Sequence, residues 1–266
     1  MATPVTAGTP SSTRLEVDDG VAVLTIHRPP ANALDTDLIA EIAARVQEAV
    51  LHPGTGALVI TGSGTRFVAG ADIKMLRTVD AQTFLPFISG IQRIFDDLEA
   101  APIPTIAAIN GHAMGGGLEL ALACDLRFAA AGVRLGLPEV KLGLLPGAGG
   151  TQRLVETIGR GPALEMLLTG APVDAERALT LGLVNRVLPV DAVLEGARQL
   201  AAELAAGARE AQREIKACVL AHTDGGRRAG SRAEAVGVAH LIGTADARKG
   251  IAAFLDKRTP NFGEAR

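Results

Sequence analysis

The chain contains no tryptophan and no tyrosine. Any pocket it builds for an apolar ligand must therefore be walled by aliphatic side chains and its seven phenylalanines. Cysteine is nearly absent too: Cys124 and Cys218 are far apart in apolar helical contexts, where buried free thiols are expected rather than a disulfide framework. That fits a reducing compartment, and a cytoplasmic location is the expectation. No apolar run reaches the length of a membrane span. The opening stretch, Met1 to Arg14, lacks the apolar segment of a secretory signal and is expected to be a disordered lead-in over residues 1–14. Basic excess is also missing: the formal net charge is −3, so there is no overall footprint for nucleic acid.

What the chain does have is apolar residues, 48% of 266, enough for a sizeable core. Val21 to Ile26, Ala57 to Thr61, Pro104 to Asn110 and Leu126 to Ala130 read as strands. Helical patterns lie between them. Leu38, Ile42, Val46 and Val50 recur every four residues after Asp35, a plausible cap, and Phe84, Phe87, Ile91, Phe95 and Leu98 form a second stripe. Strands alternating with helices argue for an α/β fold of parallel character. Strand signals stop near Val190; Asp191 to Ala221 and Ser231 to Lys257 read as helices. The expected division is therefore a core over residues 15–190 and a helical region over 191–266.

Three segments carry chemistry. In Ile109 to Phe128, "INGHAMGGGLELALACDLRF", an apolar run ends in a bend with three glycines, and Glu119 follows. Glycines let backbone approach a ligand closely. If a helix starts there, its first N–H groups have no intrahelical acceptor and are available to an anion or a developing oxyanion. The same pattern also occurs as a plain strand–helix connection with a dipole-compensating glutamate. The second segment, "GTRFVAGADIKML" (Gly64 to Leu76), brings small residues before Asp72 and Lys74. The third, "LGLPEVKLGLLPGAGGTQRL" (Leu135 to Leu154), adds Glu139 and a second glycine cluster at Gly147, Gly149 and Gly150.

In order and spacing these segments resemble the crotonase superfamily, and within it the enoyl-CoA hydratases, over about Leu15 to Phe262. The resemblance implies a spiral of ββα units followed by a helical C-terminal region that builds trimers, often paired into hexamers. It implies water addition to a trans-2-enoyl-CoA to give a 3-hydroxyacyl-CoA, in fatty acid β-oxidation or related acyl-CoA catabolism. Metal and redox cofactors are not expected, because the coenzyme A thioester is itself the substrate.

The resemblance also assigns roles. The N–H groups of Ala71 and Gly116 would form the oxyanion hole, and Glu119 and Glu139 would hold the water. Glu119 would then act as base toward water while Glu139 delivers a proton to C2. Gly147 would orient the water through its N–H. Coenzyme A would lie along Ala71, Asp72, Ile73 and Lys74, with Gly116 beside it and Ala31, Ala33 and Leu34 in "PPANALD". That loop departs from many hydratases: a basic residue often seen before the Ala-Leu core is replaced, leaving Ala31-Asn32. Lys257 matches a position that reaches a neighbouring subunit's coenzyme A phosphate. Phe254 is a candidate for the acyl tunnel or for packing of the last helix. Met75, Leu76, Phe84, Phe87 and Ile91 lie where an acyl pocket wall would be, although such stripes are also plain core. His112, inside the glycine motif, is read as structural.

Other readings fare worse. The dinucleotide fingerprint Gly-x-Gly-x-x-Gly fails at Phe67 and again at Gln152, and no phosphate-loop motif exists. A Δ3,Δ2-enoyl-CoA isomerase needs the same oxyanion hole but works with one carboxylate. A crotonase-fold protein that binds RNA would need a basic surface.

Overall fold

The computed structural model describes residues 11–72 and 80–262. β1 (Thr13–Asp18) and β2 (Val21–Ile26) form an antiparallel hairpin. Asp19 and Gly20 turn it with positive φ at both positions, 44° and 81°, as the tight primed hairpin turns require. β1 thus begins inside the expected lead-in. The Ser11 hydroxyl and the Ser12 N–H both bond Glu41 Oε2 at 2.9 Å, so residues from Ser11 onward belong to the folded body.

β2 pairs in parallel with β3 (Ala57–Gly62), β3 with β4 (Thr105–Ile109), β4 with β6 (Leu126–Ala130) and β6 with β9 (Arg186–Leu188). Every residue of β3 and β4 is buried, which is why both read as unbroken apolar runs: parallel strands covered on both faces have no solvent side. α1 (Thr36–Leu51) packs against the β1–β2 edge. Asp35 caps it, accepting from Leu38 N at 2.9 Å, and Leu38, Ile42 and Val46 face inward. α7 (Val193–Ala205) crosses the central strands with Ala197, Ala201 and Ala205 buried at four-residue spacing, small enough for close approach.

A small second sheet matters more for function. β5 (Ala113–Met114), β7 (Arg134–Gly136) and β8 (Val173–Asp174) are short strands that place the glycine motif. β5 runs directly into α3 (Gly116–Leu122), and a short 3-10 turn, Glu139–Leu142, follows β7. α2 (Ala81–Glu99) lies opposite, started by a capping box between Asp80 and Thr83. α4 (Gly150–Ile158), α5 (Arg160–Thr169) and α6 (Ala175–Leu181) complete the body.

The helical region differs from its sequence reading. The expected helix 191–221 is two, α7 and α8 (Arg209–Leu241), broken around Gly207. α8 is in turn folded at Gly226, where φ is 73° and ψ 178°. A Cβ on Gly230 would stand 3.0 Å from His222 Cβ, and one on Gly237 3.2 Å from Glu214 Oε2. The two arms therefore run antiparallel, with glycines letting them touch. α9 (Ala245–Leu255) follows, capped by Thr244. From residue 209 to 262 only Gly230, Gly237 and Ala253 are buried, while Ile215, Val219, Ile251 and Phe254 are exposed. Both cysteines are free; Cys124 is buried, but Cys218 is only half-buried.

Candidate active site

The site forms where β5 hands over to α3. Gly115, at φ 52°, makes the bend, and its shape leaves Gly116 as the first residue of the helix. A first-turn N–H has no acceptor within its own helix. Beside it, Leu34 N donates to Gly70 O and Asp72 N donates to Leu34 O, each at 2.8 Å. In such a parallel bridge the middle residue, Ala71, turns its N–H away from Leu34. A Cβ placed on Gly116 would lie 3.9 Å from Ala71 N and 4.0 Å from Glu119 Oε2. The Ala71 and Gly116 donors thus border one small space, with a carboxylate oxygen at its edge.

Glu119 sits in the first turn of α3 and is 4% exposed. Its Oε1 accepts from Ala148 N at 2.7 Å and from Gly150 N at 2.9 Å. Burial pushes its pKa the other way, up to about 7; the negative charge of Glu139 adds to that rise, while the Gly150 and Ala148 donors and Arg153 oppose it. Glu139 opens the 3-10 turn after Pro138. Burial raises its pKa as well. Its Oε2 is buried without a hydrogen-bond partner among the described residues.

Both carboxylates, both oxyanion candidates and Gly147 line a single cleft of about 680 Å³, counting the space open to solvent. Phe84, Phe87, Ile88, Ile91 and Phe95 of α2 supply its apolar wall, and Leu144 and Leu145 face them. The expected stripe of α2 is therefore pocket lining as well as core. Met75 and Leu76 lie outside the described residues, as do Ile73 and Lys74. Among the described residues no group of three or more His, Cys, Asp or Glu could hold a metal.

The remaining positions are distributed around this cleft. Leu34 lines it. Ala31 and Ala33 are half-buried in the adjoining loop, where Ala31 O accepts from Ala69 N at 3.1 Å. Asn32 faces inward: its amide donates to Phe67 O at 2.7 Å and its Oδ1 accepts from Arg28 N at 2.6 Å. It shapes the loop and is itself buried. The His112 ring accepts from Arg134 N at 3.0 Å, a structural contact. Lys257 is exposed on the turn after α9, outside the cleft lining. Phe254 is 83% exposed, so within this chain it neither lines the tunnel nor packs the last helix.

Sequence reasoning missed the supports of Glu119. The Ala148 and Gly150 donors come from the second glycine cluster, but nothing local says which carboxylate they serve. Arg153 is buried, bonded to Asp96 at 2.5 Å and Glu99 at 2.8 Å.

Residues 16–265 match the family described as Enoyl-CoA hydratase/isomerase. The chain belongs to that family. It is 40% identical over 252 residues to the crotonyl-CoA hydratase of Syntrophomonas wolfei, covering 93% of this chain and 96% of that one. It is 39% identical over 243 residues to the 2,3-dehydroadipyl-CoA hydratase of Escherichia coli K12, covering 91% and 94%. A solved enoyl-CoA hydratase of Geobacillus kaustophilus superposes with TM-score 0.92 at 35% identity, covering 97% of this chain and 98% of that one. The crotonase fold is thereby shown: a mostly parallel sheet with the helical region at its C-terminal end.

Proposed function

We propose that this family member adds water across the double bond of a trans-2-enoyl-CoA and releases the 3-hydroxyacyl-CoA. The observation that carries this is the pairing of two carboxylates, both made less acidic by burial, in one cleft with two main-chain donors.

The thioester oxygen binds between the Ala71 and Gly116 N–H groups. As the water oxygen bonds to C3, electron density moves through the double bond to that oxygen, where the two donors hold it. Glu119 takes one proton from the water. Glu139 gives its proton to C2 as the enolate collapses, so the elements of water are added and no redox change occurs. One carboxyl must begin ionised and the other protonated. Shared burial and mutual repulsion favour one proton between them, so the pair titrates as a unit. The Gly147 N–H orients the water.

An isomerase would need a single carboxylate to carry a proton between carbons; two in the cleft favour hydration. The apolar wall of α2 suits an aliphatic acyl chain, consistent with acyl-CoA catabolism. The coenzyme A moiety would pass over Ala71 to Lys74. The exposed apolar side chains of α8 and α9 leave a face that a second copy would cover, supporting a homotrimer or a dimer of trimers, with Lys257 available to a neighbour's coenzyme A. Free thiols support a cytoplasmic setting. No helix among the described residues is long and apolar enough to cross a membrane.

Incubating the purified protein with crotonyl-CoA in water enriched in heavy oxygen tests the reading. Label appearing on C3 of a 3-hydroxybutyryl-CoA supports it; an unlabelled, rearranged enoyl product would favour the isomerase.

A further inference from the structure

From Ile88, at the edge of the face of α2 that walls the cleft, a second stripe runs on through Gln92, Asp96 and Glu99, about one helical turn apart. This stripe grips the loop that serves Glu119. Ile88 Cδ1 packs so closely that a Cβ on Gly147 would come within 2.8 Å of it. Gln92 Nε2 donates to Gly147 O at 2.7 Å. Asp96 and Glu99 hold the Arg153 guanidinium, whose Nη1 donates to Ala148 O at 3.1 Å.

A trans peptide points its C=O and N–H in opposite directions. The carbonyl held by Gln92 and the N–H that Ala148 donates to Glu119 belong to the same peptide. The amide of Gln92, that peptide and the carboxylate therefore form one chain of hydrogen bonds, in which each bond polarises the next. The following peptide is fixed at its carbonyl by Arg153, and the one after it delivers the Gly150 N–H to the same oxygen. Gln92 itself is exposed, does not line the cleft and stands behind the loop.

We propose that Gln92 is a positioning residue for Glu119, acting through the Gly147–Ala148 peptide, with Arg153 fixing the peptide that follows. The proposal rests on the reading of Glu119 as the base toward water. Without the Gln92 donor, the Gly147 carbonyl is released and the peptide is free to rotate about glycine. Glu119 then loses a donor that favours its charged form, and it ionises at higher pH.

The test compares Gln92→Leu, which removes the donor, with Gln92→Lys, which retains one on a side chain of similar reach. The kcat and KM for crotonyl-CoA are measured from mildly acid to mildly alkaline pH, with Glu119→Gln alongside and melting temperatures recorded. Gln92→Leu is expected to lower kcat at neutral pH by about fivefold, the scale of one neutral hydrogen bond. KM should stay as in the wild type, the acid limb of the profile should move to higher pH, and the loss should shrink at alkaline pH. Gln92→Lys should restore the limb. An unmoved limb, a loss uniform across pH, or no rescue by lysine overturns the positioning role. An inactive Glu119→Gln keeps the carboxylate reading in place whichever way Gln92 falls; a fully active one removes that reading itself.

Discussion

Glu139 occupies the space a side chain at Gly115 would need: a Cβ built on Gly115 would stand 2.6 Å from Glu139 Oε1. The glycine at the bend thus does two things. It takes the positive φ that starts α3, and it leaves room for the second carboxylate. Gly115→Ala should displace Glu139, lowering kcat while the chain still folds and Glu119 keeps its donors. Steady-state kinetics together with circular dichroism checks this; full activity would separate Glu139 from the chemistry.

Each carboxylate is expected to matter alone. Glu119→Gln and Glu139→Gln should each reduce kcat by about two to four orders of magnitude, the range of positioned acid–base groups. Binding of a CoA ester, measured by calorimetry, should change little. In Glu119→Gln the side-chain amide oxygen can still accept from the Ala148 and Gly150 N–H groups, so the fold has no reason to fail.

The proposed oxyanion donors, the Ala71 and Gly116 N–H groups, are main-chain atoms, so only backbone-directed changes reach them. Gly116→Val places its Cβ 3.0 Å from Leu34 Cδ1 and beside the Ala71 donor. It should cost about 3–4 kcal/mol of barrier, read as a fall in kcat/KM with crotonyl-CoA.

Burial of Glu119 also has a stability cost. Its folded pKa lies above its ordinary value, so the stabilising contribution is complete below about 4.5 and is lost as pH rises through about 7. Glu119→Gln removes the charge that must be buried. Its Tm should therefore exceed that of the wild type by several degrees at mildly alkaline pH, and the difference should vanish at acid pH. A constant difference across pH would contradict the burial account.

Parts of this were legible in the chain because they are local. Three glycines before Glu119, Pro138 before Glu139, and the apolar runs of β3 and β4 each declare themselves within a few residues. β1 did not, because half of its residues face solvent and its apolar content is thin, although Asp19-Gly20 is a hairpin signal. β5, β7 and β8 are two or three residues long, too short for any periodicity. The fold of α8 at Gly226 was hidden because polar residues surround Gly225-Gly226, so the stretch read as a gap between helices. The bond from Gln92 to Gly147 spans 55 residues, and no local pattern encodes a contact that only tertiary packing creates.

Hydration by two carboxylates is decided by the loss of conjugated-enoyl absorbance when the purified protein meets crotonyl-CoA, run beside Glu119→Gln and Glu139→Gln. Rapid loss in the wild type, with 3-hydroxybutyryl-CoA as product and near silence in both variants, is the predicted result. No loss in a wild-type protein that binds CoA esters, or wild-type rates in either variant, would contradict it.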